Sequence, residues 1–450
     1  MKYFLKTVNY VLIFVLLIAI YNFLLYATSL FPSSLIYENC VKSAEQMKKE
    51  GYAYYVLFPY TIDNATDALM INEAYSIDSS APLESYLKVR KNYNKDVVKH
   101  QLPDTSHDLL TYSQNKTDEN GKPMSDNGYF IIDELIETLN KNLTTSVNYA
   151  RYYHGYLIFY RPLLLLFDAF GIRVLNLILF LIAFLILAYE LYKKLGKFNM
   201  FAICFSLIAF DYFATSYSLQ QAPIMLLSVI ASIIVLKRID KLDWNKLFYI
   251  AFIVGSITCF LDFLTTPTLT LALPLLIYVL YHSKEQHYTN KELFIKVFTS
   301  CVLWAIAYVL TWISKWIIVD LFTDANVIGS ALEQIKYRSI GVPRTEIEYI
   351  QVLIKHLCFS FAFCIVMILI IDILIKNKII LARNNKTFLE NKMIILFVCI
   401  IPILWCFVSF NHFINHSMLS YKNFMLILAY LLLIFFEKMP IENTNKHYCK

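Results

Sequence analysis

The sequence is poor in charged side chains. Asp, Glu, Lys and Arg form only 16% of its 450 residues, whereas soluble globular domains carry about a quarter. Hydrophobic residues make up 58%, and the mean hydropathy is +0.53. The net charge of +6 does not indicate nucleic-acid binding, because the excess of Lys and Arg lies in short loops between apolar runs. A soluble globular chain is therefore excluded, and a membrane protein is predicted.

Glycine is also scarce, with nine residues in the whole chain, and no internal repeat is found. Many transporters are built from repeated halves, whose Gly- or Pro-broken helices meet at the middle of the membrane. The polar motifs of this sequence fall instead near the ends of its apolar runs. These features argue against a transporter, which stays an alternative.

Cysteine motifs for metal binding are missing, since the nine cysteines form no CxxC pair and no Cys/His spacing of a zinc site. Most lie in or beside apolar runs, where cysteine serves as a small packing residue. These are Cys204, Cys259, Cys301, Cys358, Cys364, Cys399 and Cys406. No metal site is therefore predicted, and the cofactor stays undetermined, with a divalent cation left open.

Apolar runs long enough to cross a membrane recur along the chain. A run of about 18 or more apolar residues can span a hydrocarbon core of roughly 30 Å. The first run, 8–30, exceeds the roughly 7–15 residues of a signal-peptide core, so it is interpreted as a retained span. Further spans are predicted near 172–192, 198–216, 220–237, 247–262, 266–282, 294–319, 350–376, 393–410 and 421–437. The predicted fold is an all-α polytopic membrane protein with about ten transmembrane helices.

Five parts follow from this pattern. They are a first transmembrane helix (1–30), an extracytoplasmic loop domain (31–150), an interfacial or re-entrant helix (151–170), a transmembrane bundle (171–437) and a cytoplasmic tail (438–450). Within the loop domain, "TDALMINEAYS" and "GYFIIDELIETLNKNL" have the apolar spacing of helices. The turn-rich stretch "QNKTDENGKPMSDNG" predicts a mobile loop.

The stretch "YARYYHGYLIFYRPLLLLFD", 149–168, joins two arginines and a histidine to a short apolar run. Its apolar part, 155–167, would give a helix of roughly 20 Å at about 1.5 Å per residue, less than the roughly 30 Å of a membrane core. We therefore predict that it lies at the outer interface, with its tyrosines at headgroup level.

The distribution of basic residues supports this orientation. If 155–167 crossed the membrane, every later loop would invert, and the Lys-rich loops would face outward against the positive-inside rule. With 155–167 held outside, the cytoplasmic segments are 1–7, 193–197, 237–246, 283–293, 376–392 and 438–450. The short outer turns at 217–219, 263–265 and 411–420 contain no Lys or Arg, and of the predicted outer segments after the interfacial helix only the loop at 320–349 has some, namely Lys336, Arg338 and Arg344. Both termini are therefore predicted to be cytoplasmic and the large loop extracytoplasmic.

In this orientation the unusual polar residues share the outer side. Asp63 and Asp67 have the i,i+4 spacing that places two carboxylates on one helix face. One of them can then act as a general base, so both are catalytic candidates. The candidate substrate-binding residues are Arg151, His154, Arg161, Gln220, Asp262, Thr266, His412, His416 and Lys422.

Several of these residues also have a structural interpretation. Asp63 is equally suited to cap the helix that follows it, with Asp67 in the first helical turn. His154 and Arg161 are equally suited to reach lipid headgroups. His412 and His416 have i,i+4 spacing but no third ligand nearby, so metal binding is not expected.

Other charged residues fall inside or near the predicted spans. Lys315 lies near the outer end of its span, where it either reaches the headgroups or pairs with a phosphate. Asp211 and Asp372 lie deeper, and they are either functional or held in structural hydrogen bonds.

Taken together, the stretches "ARYYHGYLIFYRP", "FLTTP" and "NHSMLSYKN" and the order of the parts resemble the GT-C superfamily of polytopic membrane glycosyltransferases, in particular a bacterial branch of it. The shared order is a first span, a large outer loop with acidic residues, an interfacial helix and about nine more spans. In that superfamily the acidic residues usually lie nearer the first helix, where this chain has Glu38.

This resemblance implies transfer of a sugar from a polyprenyl-phosphate carrier to a cell-envelope acceptor, such as a glycan, teichoic acid or protein, on the outer face of the cell membrane. Arginine and lysine would neutralise the phosphate, and a carboxylate would take the proton of the acceptor hydroxyl. Tyr152, Tyr153 and Tyr156 offer flat faces suited to sugars. A polysaccharide polymerase, a membrane acyltransferase and a polytopic transporter of envelope precursors remain the alternatives.

Overall fold

A computed structural model of the protein describes residues 2–51, 53–57, 60–93, 129–141, 145–262, 264–283, 288–339, 347–376 and 391–438. Helices dominate this part of the chain, and its strands are confined to two small antiparallel sheets of two strands each. A predominantly helical fold is therefore confirmed, whereas the strands were not predicted. The predicted mobile loop at 114–128 lies outside the described residues.

The first long helix and the region that follows it contain both two-stranded sheets. Its elements are α1 (Lys2–Ser29), α2 (Tyr37–Glu50), β1 (Ala53–Leu57), β2 (Tyr60–Asp63), α3 (Asn64–Tyr75), α4 (Pro82–Lys88), β3 (Arg90–Tyr93), α5 (Tyr129–Leu139), β4 (Thr145–Asn148) and α6 (Leu157–Leu163). The helices predicted from apolar spacing within 31–150 are confirmed as α3 and α5. Strand β1 pairs with β2, and β3 pairs with β4.

The bundle consists almost wholly of long apolar helices. They are α7 (Ala169–Leu195), α8 (Lys197–Ala209), α9 (Tyr212–Thr215), α10 (Ala222–Arg238), α11 (Trp244–Leu261), α12 (Leu269–His282), α13 (Asn290–Phe322), α14 (Val327–Ser339), α15 (Ile347–Lys376), α16 (Lys392–Val408), α17 (Phe410–Asn415), α18 (Ser417–Ser420) and α19 (Met425–Lys438). Short 3-10 turns occur at Ser33–Ile36, Ile239–Lys241 and Tyr421–Phe424.

Seven of the ten predicted spans are long and apolar enough to cross a membrane within the described residues. They are Leu5–Ser29, Ala169–Leu195, Ala222–Lys241, Trp244–Leu261, Asn290–Phe322, Leu353–Ile370 and Ser417–Phe436. The other three correspond to the shorter apolar helices α8, α12 and α16, of 13, 14 and 17 residues. A membrane protein with several spanning helices is thus confirmed, while the total of about ten stays a prediction.

The helix ends sort into two groups. At one end, called the basic end here, Lys194 pairs with Asp240, Lys6 donates to Asn245 at 2.8 Å, and Tyr281 donates to Asp240 at 2.7 Å. These contacts join the turns predicted to be cytoplasmic. At the opposite end, called the polar end, the turns predicted to be outer meet the 31–150 region. The structure therefore brings the segments 1–7, 193–197 and 237–246 to one end, while the grouping of the remaining turns and the assignment of each end to a side of the membrane stay predictions.

A second hydrophobic cluster lies at the polar end, separate from the large core of the bundle. Helices α2 and α5 turn one apolar face inward, whereas α3 is buried on nearly all sides. Its fully buried members include Cys40, Met47, Ala65, Ala68, Ile132, Leu135, Leu157 and Ile172. Because Leu157 and Ile172 belong to α6 and α7, the described part of the loop domain is packed directly onto the bundle.

Helix α6 is the short helix of the opening stretch. With seven residues it rises only about 10 Å, so it does not cross a core of roughly 30 Å. Just before it, Gly155 N donates to Phe260 O at 2.9 Å, at the end of α11. A Cβ at Gly155 would collide with that same carbonyl oxygen, so only glycine allows this close approach.

Lys315 holds the loop domain from the side of α13. Its ammonium group donates to Leu87 O at 3.0 Å and to Tyr86 O at 3.3 Å, and these are carbonyls of the last turn of α4. A cation at a helix C-terminus satisfies carbonyls that lack partners within the helix. Lys315 is 1% exposed. The sequence suggested that it reaches the headgroups or pairs with a phosphate, whereas in the structure it binds the end of α4.

Candidate functional site

Asp63 is the N-cap of α3. Its carboxylate accepts hydrogen bonds from Thr66 N at 3.1 Å and from Thr66 Oγ1 at 2.6 Å. The side chain is buried, and burial raises the pKa of Asp63 while the Thr66 hydrogen bonds lower it. The helix-cap interpretation is confirmed, and this arrangement gives no support to the catalytic role expected for Asp63.

Asp67 also faces the protein interior. One carboxylate oxygen lies 3.0 Å from Arg173 Nη2, and the other accepts a hydrogen bond from Leu219 N at 3.1 Å. Burial raises the pKa of Asp67 to about 6, against the lowering effect of the Arg173 charge. Both oxygens are thus held by protein groups, so the arrangement gives no support to a catalytic role for Asp67 either.

Arg173 is the centre of this buried ion cluster. Its guanidinium also contacts Glu50 Oε2 at 3.0 Å and Asn64 Oδ1 at 2.7 Å. The Asn64 amide in turn donates to Gly51 O at 2.7 Å. Helices α2 and α3 are thereby tied to the first turns of α7, and the cluster anchors the loop domain on the bundle.

Arg161 is an internal clamp rather than a surface cation. Its Nε donates to Ala74 O at 2.9 Å, and its Nη1 donates to Thr28 O. Its Nη2 donates to Phe31 O at 2.9 Å and to Ser33 Oγ at 3.0 Å. Arg161 is fully buried, and burial lowers its pKa to about 10. Every guanidinium nitrogen is used by the protein, which supports neither headgroup contact nor substrate binding.

Two other arginines at the polar end have a different environment. The guanidinium carbon of Arg151 lies 4.4 Å from the ring centre of Tyr149 and 5.2 Å from that of Tyr152. The guanidinium carbon of Arg338 lies 5.7 Å from the same Tyr152 ring. Arg338 Nη1 is also 2.6 Å from His412 Nδ1. We call this group of five residues the paired-arginine site.

The paired-arginine site concentrates positive charge without a matching carboxylate. Within the described part of the chain, neither Arg151 nor Arg338 has an Asp or Glu oxygen within 4.0 Å. Arg151, Tyr152 and Arg338 are each partly exposed as whole residues, so the site borders the surface of the protein. Two guanidinium groups on one aromatic ring repel each other, and a bound anion would relieve that repulsion.

Tyr152 responds to these two cations. Burial by itself raises the pKa of the phenol, but the charges of Arg338 and Arg151 and their hydrogen bonds lower it by more. The net pKa of Tyr152 therefore lies below its usual value. The pKa of the neighbouring Tyr149 is raised instead, because the effect of burial exceeds the lowering effect of the arginine charges.

The histidines of the turn at 411–420 extend the site. The ring centres of His412 and His416 are 4.4 Å apart. Since a guanidinium only donates, His412 Nδ1 is the acceptor in its contact with Arg338. Burial and then the charge of Arg338 lower the pKa of His416 to about 4, which keeps that imidazole neutral near pH 7. Arg151 is thus related to His412 and His416 through Tyr152 and Arg338.

A row of aromatic residues on α13 leads to the site. Trp304, Tyr308, Trp312 and Trp316 follow at i,i+4 spacing, with successive ring centres 5.0, 6.5 and 5.7 Å apart. The Trp312 ring meets Tyr152 edge-on at 5.1 Å. Such a row offers flat apolar faces from the bundle core to the paired-arginine site.

Beside the site, His154 and Glu73 form a buried pair. His154 Nδ1 lies 3.1 Å from Glu73 Oε2 and 3.1 Å from the Tyr156 hydroxyl, which donates to the same carboxyl oxygen. His154 Nε2 is 2.9 Å from Tyr149 O. The backbone of His154 is left-handed, with φ at 54°, which is uncommon for a residue other than glycine and marks candidate functional positions.

Asp262 and Thr266 lie at the end of α11, away from the arginines. Asp262 Oδ2 accepts a hydrogen bond from the Tyr308 hydroxyl at 2.9 Å. Thr266 is buried and its carbonyl accepts from Leu269 N at 3.3 Å. Because Tyr308 belongs to the aromatic row, Asp262 is linked to the site through that row, whereas Thr266 serves the turn before α12.

Gln220 and Lys422 belong to another buried group. Lys422 Nζ donates to Gln221 Oε1 at 3.0 Å, and the neighbouring Tyr421 hydroxyl donates to Asp211. Gln220 is buried next to this group. Lys422 is therefore held by its own partner, and the Tyr421 hydroxyl gives Asp211 a structural hydrogen bond.

Sequence reasoning missed Arg338, Glu73 and Tyr149. One signal for Arg338 was present, since it is among the few basic residues in the predicted outer loop at 320–349. Glu73 gave no signal, because nothing in a helical pattern distinguishes a buried glutamate from an exposed one. Tyr149 lies in the quoted opening stretch but was not singled out.

No group of three His, Cys, Asp or Glu side chains that could hold a metal ion occurs among the described residues. Comparisons with protein-family models, with curated proteins and with solved structures found no match for this chain. The geometry of the polar end is therefore the basis on which function is argued below.

Proposed function

We propose that the protein is a membrane glycosyltransferase that takes a sugar from a polyprenyl-phosphate carrier and passes it to a cell-envelope acceptor on the outer face. The observation that carries the proposal is the paired-arginine site. It presents two guanidinium groups, partly exposed, at the end of a bundle of membrane-spanning helices. A phosphate held at a membrane surface is the ligand class that matches this charge and depth.

Geometry and charge favour phosphate over a single carboxylate. Arginine binds phosphate by paired, charge-assisted hydrogen bonds, and two arginines at one ring can share the oxygens of one phosphate. The neutral His416 and the acceptor nitrogen of His412 leave Arg151 and Arg338 as the cations of the site. The positive charge of the site therefore favours a phosphate dianion or a phosphate diester over a neutral solute.

The aromatic row suits the remaining parts of such a donor. Trp312 and Trp316 are partly exposed on the face of α13 that meets Tyr152. Their rings can pack against isoprenoid units or against the apolar face of a sugar. A carrier lying along α13 would keep its tail in the membrane and its phosphate at Arg151 and Arg338.

Neither aspartate is assigned as the base for the acceptor hydroxyl in this proposal. Asp63 is held by Thr66, and Asp67 is held by Arg173. Glu73 is fully buried and contacts the site through His154, which is hydrogen-bonded to Tyr149 O. We therefore give Glu73 a role in holding the site rather than in taking the proton.

The proposal is tested by sugar transfer in proteoliposomes, with short-chain polyprenyl-phosphate sugars as donors. Arg151→Lys with Arg338→Lys keeps both charges but loses the forked geometry, so transfer should fall about 10-fold or more at a fixed donor concentration. Arg238→Lys, at the exposed end of α10, is the matched control and should transfer as the parent does.

Two results decide the outcome. Asp63→Asn and Asp67→Asn should retain transfer in proportion to the folded protein, because neither carboxylate is the base. If the Arg151→Lys, Arg338→Lys protein transfers every donor at the parent rate, the phosphate assignment is wrong and the proposal falls with it.

Orientation belongs to the same proposal, with both termini cytoplasmic and the polar end facing outward in the cell membrane. A reporter fused after Lys194 should be cytoplasmic, and one inserted near Asn120 should be external. An external reporter after Lys194 would place the paired-arginine site on the inner face, where the carrier and acceptor would have to be cytoplasmic.

A further inference from the structure

The hydrogen bonds around His154 allow its protons to be counted. Tyr149 O is a carbonyl oxygen and only accepts, so the imidazole nitrogen facing it, Nε2, carries a proton. In a neutral imidazole the other nitrogen, Nδ1, is then an acceptor with no proton. Nδ1 nevertheless lies 3.1 Å from Glu73 Oε2, which is also an acceptor when the carboxyl group is ionised.

The hydroxyl group of Tyr156 cannot resolve this conflict. Its single proton goes to Glu73 Oε2 in the structure, and if it turned to His154 Nδ1 the contact with Glu73 would lose its own proton. Three acceptor atoms therefore meet in one buried triangle with only one proton from tyrosine. Two lone pairs facing each other at 3.1 Å without solvent are strongly unfavourable, so one more proton is required.

Burial makes this requirement strict. Glu73 is fully buried and His154 is 4% exposed, and the second oxygen of Glu73, Oε1, is buried with no hydrogen-bond partner in the described part of the chain. No arginine or lysine contacts either side chain within ion-pair distance there. An isolated buried negative charge in this position would cost several kcal/mol or more.

We propose that Glu73 and His154 share one proton between Oε2 and Nδ1, and that this neutral pair is the positioning element of the paired-arginine site. The mechanical link is short. His154 Nε2 donates to Tyr149 O, and the ring of Tyr149 carries the guanidinium of Arg151 at 4.4 Å. His154 also contacts the Tyr152 ring edge-on, at 5.9 Å between ring centres.

The shared proton thus holds the strained backbone at His154 in place. With the proton present, α3 is joined to the segment 149–156 through Glu73 and Tyr156. Without it, Glu73 and His154 would repel each other, and the segment bearing Arg151 would lose its fixed position. Neither residue touches the phosphate in this proposal, and both act through Tyr149. The argument rests on the proposed function only for the nature of the anion.

The proton itself is tested by 15N nuclear magnetic resonance of histidine-labelled protein at neutral pH, with the His154 signals assigned through His154→Asn. The expected spectrum shows a proton or a strong hydrogen bond at Nδ1 as well as a proton at Nε2. A His154 whose Nδ1 is bare and unbonded would overturn the proposal. This readout does not depend on any ligand.

The positioning role is tested by binding of a short-chain polyprenyl phosphate, with inorganic phosphate as a second probe. In Glu73→Gln the amide nitrogen can take the place of Oε2 and donate one N–H to Nδ1 and the other to the Tyr156 hydroxyl oxygen, so its affinity should stay within about 3-fold of the parent. Glu73→Ala removes both contacts, and its affinity should fall about 10-fold or more. Glu45→Ala, exposed on α2, is the matched control.

The outcomes separate this proposal from the proposed function. If Glu73→Ala binds as the parent does while Arg151→Lys with Arg338→Lys loses binding, the positioning role is wrong and the phosphate site stands. If Glu73→Gln is as weak as Glu73→Ala, no amide can replace the shared proton, and the neutral pair is wrong. If the parent binds neither probe, the proposed function fails. The magnetic resonance result alone then decides whether Glu73 and His154 share a proton.

Discussion

Arg173 and Arg338 are both found at the polar end, yet they represent opposite uses of the same side chain. Arg173 is fully buried and contacts two carboxylates and an amide oxygen. Arg338 is partly exposed and contacts a histidine nitrogen and an aromatic ring. An arginine whose charge is neutralised inside the protein stabilises the fold, whereas one left without a carboxylate is available to an external anion.

The comparison extends to the acidic residues. Asp67 is paired with the buried arginine and is already neutralised by it. Glu73 has no cation and is matched instead by a histidine and a tyrosine. Structural and functional polar groups at this end are therefore distinguished by their partners rather than by their residue type or their depth.

The largest expected effect comes from breaking the buried cluster. Arg173→Met leaves the carboxylates of Asp67 and Glu50 without their cation, and removing one partner of a buried ion pair typically costs about 3–5 kcal/mol. The free energy of unfolding in detergent should fall by that amount. Arg238→Met, at an exposed position, should leave it unchanged within about 0.5 kcal/mol. If the two variants are equally stable, Arg173 does not stabilise the fold, and the distinction between Arg173 and Arg338 is wrong.

A smaller effect is expected at the site, and in binding rather than in stability. Arg338→Gln removes one of the two guanidinium groups, so the affinity for a polyprenyl phosphate should fall about 10- to 100-fold, or about 1.4–2.8 kcal/mol. The melting temperature should stay close to that of the parent, because Arg338 has no buried carboxylate to leave unpaired. If Arg338→Gln loses stability but keeps its affinity, Arg338 stabilises the fold and does not bind the phosphate. Titration by fluorescence of the nearby tryptophans measures the affinity.

The helix cap gives a third, smaller effect that is confined to stability. Asp63→Ala removes the acceptor for Thr66 N and should destabilise the protein by about 1 kcal/mol, in the range of roughly 0.5–2 for such caps. Asp63→Asn keeps an acceptor and should lie within a few tenths of the parent. Thermal unfolding at a single pH distinguishes them, and an Asp63→Asn protein that is stable but inactive would restore the catalytic interpretation.

The smallest effect concerns the pH dependence of binding. Because Arg338 and Arg151 lower the pKa of Tyr152 below its usual value, the phenol loses its proton within the alkaline range. The phenolate then competes with an external anion, so phosphate affinity should decrease as pH rises. Tyr152→Phe cannot ionise, and its affinity should be flat over the same range. If the affinity of the parent protein stays constant up to the pH at which an ordinary tyrosine ionises, the phenol of Tyr152 is not the competing anion.

Much of the fold was predictable because it depends on patterns that the sequence displays directly. The apolar runs located the long helices, and the basic loops grouped the segments 1–7, 193–197 and 237–246, which the structure brings to one end. The two small sheets were not predicted, since β1 to β4 are only four or five residues long and too short for a clear alternation. Tertiary contacts with α3 and α5 decide their conformation.

The site was predictable only in part, for a physical reason. Sequence places Arg151, Arg161 and Arg173 within 23 positions but does not show which of them meets a carboxylate. That depends on Glu50 and Asp67, which reach Arg173 across more than a hundred residues of chain. The composition of a segment therefore identifies charged residues at the membrane boundary, whereas their pairing requires the structure.

The close approach of Gly155 to Phe260 has a mechanical consequence for substrate entry. The segment carrying Arg151 is fastened there and again where Trp316 Nε1 donates to Arg151 O at 3.0 Å, so this side is immobile with respect to α11 and α13. Arg338 lies on α14, whose end is fixed in turn where Asn411 Nδ2 donates to Tyr337 O at 3.0 Å. We therefore expect a ligand to dock between two walls that are already in place, rather than to draw them together.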